Sequence, residues 1–219
     1  MKKITLFITA TVLWALTTSH AVQADTSDEI KALNIPIPYR DASMIEGAVA
    51  MRSAVVAVEY ADKKMQERMF ARKLDKKFYP ILVRVTNESD QRLLVKAPDS
   101  SLIAGVNEVE PHQIHTVFEN LIKTSKTGRA FGSIITLGLS NLLGGNNAVM
   151  VKNDGEFNEP LVQNMYNKAL KLSIVEPGDT LSGFLFFDTN ASNEKKAELL
   201  LPLQYLNNTE TFIVEVSIL

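Results

Sequence analysis

Two segments of the chain place apolar side chains at every second position, as a β-strand with one buried face does. Residues 211–218 read TFIVEVSI, in which every other side chain is apolar from Phe212 to Ile218. Residues 78–86 read FYPILVRVT, with Ile81, Val83 and an early proline that a strand start tolerates. Because this period of two differs from the 3.6 of a helix, the chain is predicted to be mainly β.

Further strands are predicted where short apolar runs lie between turn residues. They cover residues 52–60, 92–96, 170–175, 180–187 and 197–206. We expect Val83 and Val85 to be buried against Phe184 and Phe186, since both pairs keep a spacing of two in the strongest strands.

Three segments between the two β regions instead follow helical spacing. They are residues 111–123, 127–143 and 159–169. A fourth, at residues 62–77, is rich in basic side chains and is predicted to be a short amphipathic helix. A helical insertion at about residues 108–170 therefore interrupts a β-rich sequence.

The strand FYPILVRVTN, ending at Asn87, and the later segment LSIVEPGDTLSGFLFFD, ending at Asp188, resemble paired signatures of bacterial extracytoplasmic immunoglobulin-like β-sandwich domains. The resemblance covers about half of the mature chain and implies a fold, while it carries over no functional residue. We accordingly predict an immunoglobulin-like β-sandwich over residues 51–219, with the helical insertion between its two halves. Residues 25–50 are predicted to be an extended lead-in.

Residues 1–24 are predicted to be a cleaved signal peptide. Lys2 and Lys3 precede an apolar run, and small residues lead to a cleavage site after Ala24. Cleavage would remove two lysines and change the net charge from −2 to about −4, which disfavours nucleic acid as a partner. The chain contains no cysteine, so disulfides, thiol nucleophiles and a lipid-modified N-terminus are excluded. We expect the mature protein to be periplasmic or secreted.

His112 and His115, with Glu119, follow helical spacing in the predicted helix and are weak candidates for a metal site. A solvated helix face explains the same residues, and we predict no bound metal and no cofactor. No nucleophile elbow or phosphate-binding loop is present, and no residue is predicted to be catalytic.

Residues 130–151 contain no charged side chain, and Gly138 belongs to a series of small residues there. Small residues permit close approach between helices. A helical hairpin buried on the sandwich explains this composition, and so does a surface for a partner protein or a membrane. The predicted partner-binding residues are Phe131, Ile134, Ile135, Gly138 and Leu142.

These observations favour a non-enzymatic exported envelope protein that binds or scaffolds a protein or membrane partner through its apolar helical insertion. The alternative is a periplasmic protein that binds a small ligand or a metal in the groove between insertion and sandwich. A hydrolase is the third hypothesis.

Overall fold

The computed structural model describes residues 28, 31–74, 77–117, 159–188 and 197–218. In this part of the chain the strands are β1 Val49–Met51, β2 Ala54–Tyr60, β3 Phe78–Asn87, β4 Leu93–Val95, β5 Ser101–Ala104, β6 Asn107–Val109, β7 Ser173–Val175, β8 Thr180–Asp188, β9 Ala197–Tyr205 and β10 Thr211–Ile218. The helices are α1 Lys63–Phe70 and α2 Glu159–Lys168, with short 3-10 helices at Ala42–Met44 and Ala97–Asp99. Residues 31–33 and 114–117 are also helical. The fold is mainly β, as predicted.

The strands form two antiparallel sheets that face each other, the arrangement of a β-sandwich. Sheet A has the order β1-β2-β3-β8, and β3 pairs with β2 on one side and β8 on the other. In sheet B the central strand is β9, which pairs with β10 along its whole length. On its other side, β9 pairs with β5 at its start and with β4 at its end. The 3-10 helix at Ala97–Asp99, which contains Pro98, separates β4 from β5. Strands β6 and β7 lie outside β5 and β4.

A hydrophobic core fills the space between the two sheets. Sheet B contributes alternate residues of β9 and β10, including Leu201 and Val214, and the prediction for β10 is confirmed by its strict alternation of exposed and buried residues. Sheet A contributes Val83 and Leu185 from its two long strands. Burying a large apolar side chain stabilises the fold by about 1.5–3 kcal/mol, so this shared core holds the two sheets together.

The predicted packing of Val83 and Val85 against Phe184 and Phe186 is wrong. In an antiparallel pair, residues directly opposite each other point to the same face of the sheet. Val83 lies opposite Gly183, and Leu82 lies opposite Phe184. The two valines therefore point into the sandwich core, whereas both phenylalanines point to the outer face of sheet A.

A helical layer covers that outer face, so sheet A is buried on both sides. Helix α1 begins at Asp62, whose carboxylate accepts a hydrogen bond from the Met65 amide at 2.7 Å. It ends at Ala71 in the left-handed conformation, and this confirms an amphipathic helix in the predicted segment. A second cluster joins both helices to the phenylalanines of β8, and its buried members are Ala61, Met69, Phe70, Leu74, Phe78, Leu82, Val117, Met165, Phe184 and Phe186.

The flanks of the predicted insertion lie along the edge of β8 that faces away from β3. The His112 amide donates to the Phe186 carbonyl at 2.7 Å, and the Leu170 amide donates to the Phe184 carbonyl at 2.9 Å. Gly183 allows this approach, because a Cβ there would lie only 2.7 Å from the Leu170 Cα. The edge strand is thereby covered by the chain itself.

Several predicted boundaries differ from the structure. The range 108–170 begins inside β6, and the helix expected from Pro111 begins at residue 114, because the preceding residues are extended along β8. The lead-in at 25–50 includes a 3-10 helix and the first residues of β1. No helix in the described ranges combines the length and apolar character that crossing a membrane requires.

Candidate functional site

A pocket of about 230 Å³ opens on the outer face of sheet A, and we call it the Arg84 pocket. It lies between the lead-in, helix α1 and the strands β3 and β8. Its lining residues are Ile37, Pro38, Lys64, Met65, Arg68, Met69, Leu82, Arg84 and Phe184. The pocket therefore combines apolar walls with three cationic side chains.

Strand register brings the floor of the pocket together. Leu82 and Arg84 are two residues apart in β3 and so point to the same face, and Phe184 lies opposite Leu82 in β8. On one side of these residues the outer face of sheet A is covered by α1 and α2. On the other side it is covered by Ala42 and Ile45 of the lead-in. The pocket occupies the space between these two covered areas.

Arg84 is the most unusual side chain of the pocket. It is only 4% exposed, and its Nη1 donates to the Glu59 carboxylate of the neighbouring strand β2. Its Nε–H is buried and has no hydrogen-bond partner within the described ranges. A guanidinium is always charged and has donors in a fixed fork, so a buried one normally has each donor satisfied. Arg84 thus has one buried donor without a partner among the described residues, in a side chain that lines the pocket.

Lys64 and Arg68 supply two further cations at the mouth of the pocket. They are four residues apart in α1 and therefore lie on the same face of the helix, where both are exposed. Neither forms an ion pair with another described residue. The pocket lining contains three cationic side chains and no carboxylate, and Arg84 is the one of the three paired with a described carboxylate, that of Glu59.

The lead-in wall of the pocket is attached to sheet A by polar contacts. The Ala42 amide donates to the Thr86 hydroxyl at 3.0 Å, and this hydroxyl lies 2.9 Å from that of Thr180. Hydrogen bonds from Ser43 lower the pKa of Asp41, which keeps this carboxylate charged at the start of the 3-10 helix. These bonds hold the chain just beyond Ile37 and Pro38 against the sheet.

A second polar cluster holds α2 against the rest of the helical layer. Lys168 is buried, and its ammonium donates to the Ala32 carbonyl at 2.6 Å and to the Met69 carbonyl at 2.9 Å. Burial lowers the pKa of Lys168 to about 8. Asn164, one helical turn earlier, also donates to the Met69 carbonyl, at 2.7 Å. The cluster joins α2 to the end of α1 and to the lead-in.

The histidines predicted as weak metal candidates do not share a helix face. His112 lies before the helical residues, and its ring meets Phe78 edge-on at 5.4 Å between centroids. His115 lies within the helical turn, while Glu119 is outside the described residues. Within the described ranges no group of three or more metal-binding side chains converges.

The residues predicted to bind a partner cannot be placed in the fold. Phe131, Ile134, Ile135, Gly138 and Leu142 all lie outside the described residues. The Arg84 pocket was not predicted from the sequence. The available signal was an arginine in the middle of an otherwise apolar strand, FYPILVRVT, because a charge at such a position needs a partner or a ligand.

Comparison with known proteins finds little that resembles this chain. No protein-family model matches it, and no curated protein matches it significantly. One solved structure, described as the crystal structure of a functionally unknown protein from Listeria monocytogenes EGD-e, aligns with 77% of this chain and 79% of that chain. The two are 13% identical, with a TM-score of 0.33, and this likeness carries no argument about fold or function.

Proposed function

We propose that the protein is a non-enzymatic exported binding protein that holds a small ligand in the Arg84 pocket. The observation that carries this proposal is the buried guanidinium of Arg84, with an unpartnered Nε–H in a side chain that lines a cavity. An unsatisfied buried donor costs about 1–3 kcal/mol, and a ligand acceptor would remove that cost. This corresponds to the small-ligand alternative of the sequence analysis, with the pocket formed mainly by α1 and the lead-in.

The chemistry of the lining favours binding over reaction. Its charged side chains are those of Lys64, Arg68 and Arg84, and the lining contains no histidine and no carboxylate. General acid–base catalysis works best with a group whose pKa lies near the working pH, such as a histidine or a perturbed carboxylate. The pocket instead offers fixed positive charge and apolar contact, which suit recognition.

The proposed location is the periplasm or the cell exterior. It is supported by the basic, apolar and small-residue order of residues 1–24, which lie outside the described part of the chain. The immunoglobulin-like classification of the sandwich and the helical nature of the whole insertion are part of the same proposal. They are supported by the two facing sheets and by the helical residues at 114–117 and in α2.

Native mass spectrometry of protein purified from the cell envelope tests the binding proposal. Wild-type protein should carry an additional small mass that is released on denaturation. Met65→Trp should lose it, because Met65 lines the pocket and an indole would fill much of the space. Met44→Trp is the matched control, since Met44 is 70% exposed and does not line the pocket. Equal retention by all three proteins would place the ligand elsewhere, and absence of any bound mass in the wild type would contradict the proposal.

A second candidate function, binding of a protein or membrane partner through the insertion, is favoured by how its flanks are held. His112 and Leu170 both bond to the edge of β8, so the two ends of the insertion lie beside one strand. Val117 and Met165 are fully buried on either side of it. Removal of residues 108–170 would therefore damage the core.

The sharper experiment replaces only residues 120–156 with a short Gly-Ser linker. A folded, exported variant that no longer captures its partner in crosslinked cells would support this second function. Unchanged capture would assign partner binding to the sheets and helices that remain. This variant removes all of the predicted partner-binding residues, from Phe131 to Leu142.

A further inference from the structure

We infer that the ligand of the Arg84 pocket is a small amphiphile with an anionic head group and a short apolar tail. This inference rests on the proposed function and adds to it the chemical class of the ligand. It follows from the charges, the apolar lining and the size of the pocket, each of which excludes a different class of molecule.

The charges require an anionic group. The Arg84 side chain lines the pocket and has a buried Nε–H without a partner among the described residues, and the exposed side chains of Arg68 and Lys64 add positive charge to the lining. Bonds between a guanidinium and an anionic oxygen are charge-assisted and stronger than neutral hydrogen bonds. A cationic ligand would lie beside three cations of which only Arg84 is paired with a described carboxylate, so amines are disfavoured.

The walls require an apolar group. Six of the lining side chains carry no charge and no side-chain hydrogen-bonding group beyond a thioether: Ile37, Pro38, Met65, Met69, Leu82 and Phe184. Methionine side chains adapt to ligands of different shape. A bare inorganic anion would leave these walls exposed to water, whereas an alkyl or aryl tail would cover them.

The size limits the tail. A volume of about 230 Å³ lies below the roughly 300–1,000 Å³ of pockets for drug-sized molecules. A chain of medium length is therefore a better fit than a complete diacyl lipid. The anionic head is the shared feature of a free fatty acid and an acidic lipid, and the experiment has an arm for each.

Isothermal titration of the mature protein with octanoate, octan-1-ol, octylamine and acetate tests this class. Octanoate should bind, and the other three should bind at least about 10-fold more weakly, because each lacks the charge or the tail. Sedimentation with phosphatidylglycerol vesicles supplies the lipid arm. Binding to vesicles with no response to octanoate would overturn the inference, and so would equal affinity for octanoate and octan-1-ol.

Arg84→Met should weaken octanoate binding by about 10- to 100-fold, the range expected for a lost charge-assisted bond. Arg92→Met is the control, because Arg92 is a half-exposed arginine paired with Glu176 outside the pocket, and its affinity should equal that of the wild type. Since Arg84→Met leaves Glu59 without its cation, the double variant with Glu59→Gln is measured beside it.

If neither Arg84 variant folds, the double variant Lys64→Ala with Arg68→Ala tests the inference instead. Both side chains are exposed, so their removal should not affect folding. About a 2- to 10-fold loss of octanoate affinity is expected, and an unchanged affinity would overturn the inference. If the inferred ligand class is wrong, the proposed function can still be tested by the mass-spectrometry experiment. A co-purified mass lost in Met65→Trp would still support binding in the pocket, by a ligand of another class.

Discussion

Asn87, the last residue of β3, connects the two sequence signatures that resemble immunoglobulin-like domains. Its side-chain amide donates to the Gln91 carbonyl at 2.7 Å and to the Val175 carbonyl at 3.0 Å. Its side-chain oxygen accepts from the amide and the hydroxyl of Ser89. Its backbone carbonyl accepts from the Gly178 amide at 2.7 Å. One fully buried asparagine therefore holds its own turn and attaches it to the strand and turn that precede β8.

Asn87→Ala removes the four side-chain hydrogen bonds and keeps the backbone ones. Each bond contributes about 0.5–1.5 kcal/mol net. Ser89 is half-buried and can bond to water instead, and the Gln91 carbonyl still accepts from the Ser89 hydroxyl, so most of the cost comes from the Val175 carbonyl, which loses a buried donor. We expect the free energy of unfolding to fall by about 3 kcal/mol. For a domain of this size that corresponds to a decrease in Tm of about 6–12 °C.

Urea unfolding followed by circular dichroism measures this loss, with Asn207→Ala as the control. Asn207 is an exposed asparagine between β9 and β10, and its removal should change stability by less than about 0.5 kcal/mol. A loss below about 1 kcal/mol for Asn87→Ala would refute the reasoning, since the Val175 carbonyl would then need no donor from this side chain.

Asn87→Asp provides an independent check through its pH dependence. Its carboxylate would face the Gln91 and Val175 carbonyls, and burial beside these acceptors should raise its folded-state pKa above the unfolded value of about 3.9. The charged form is then the unfavourable one. The variant should be closest to wild-type stability below about pH 4 and should lose stability as pH rises from there to the folded-state pKa.

Four other measurements test the structure. Phe186→Ala should cost about 3–5 kcal/mol in urea unfolding, because Phe186 is 2% exposed between β8 and the helical layer, and a cost below about 1 kcal/mol would contradict that packing. Gly183→Ala should cost about 1–3 kcal/mol, since its Cβ would lie 2.7 Å from the Leu170 backbone, and wild-type stability would mean that the two segments are not in contact. Burial lowers the pKa of Lys168 from 10.5 to about 8, so the unfolded chain binds the proton more tightly than the folded protein does. The stability of the wild type should therefore rise relative to that of Lys168→Met between pH 8 and 10.5, by up to about 3 kcal/mol. Parallel pH profiles of the two proteins would show that the amine is not desolvated. N-terminal sequencing of the envelope fraction should begin at or near Asp25, and a mature chain that begins at Met1 would exclude cleavage.

Local patterns in the sequence were sufficient to predict the features that depend only on neighbouring residues. The alternation in β10 predicted a strand with one buried face. This pattern was readable because the other face of β10 is exposed and no described element covers it. The Pro177-Gly178 sequence between β7 and β8 is likewise a local turn signal. Gly178 has a φ of +79°, a conformation that glycine adopts without strain.

Burial on two faces removed the pattern that would have oriented β3 and β8. Nine of the ten residues of β3 are buried, so alternation could not distinguish the sandwich core from the outer face. The structure resolves this through register, which places Phe184 opposite Leu82 and both under the helices. Register depends on pairing between strands about 100 residues apart, and a local period contains no information about it.

The Arg84 pocket depended most strongly on tertiary structure. Its lining comes from four separate parts of the chain, near residues 37, 65, 83 and 184. The sequence already contained the basic residues of α1 and an arginine within an apolar strand. Their convergence arises only when α1 and the lead-in cover the outer face of sheet A and leave a gap over Arg84. A charged residue within an apolar strand can therefore be recognised in the sequence. The cavity beside it cannot, because it forms only where elements distant in sequence pack together.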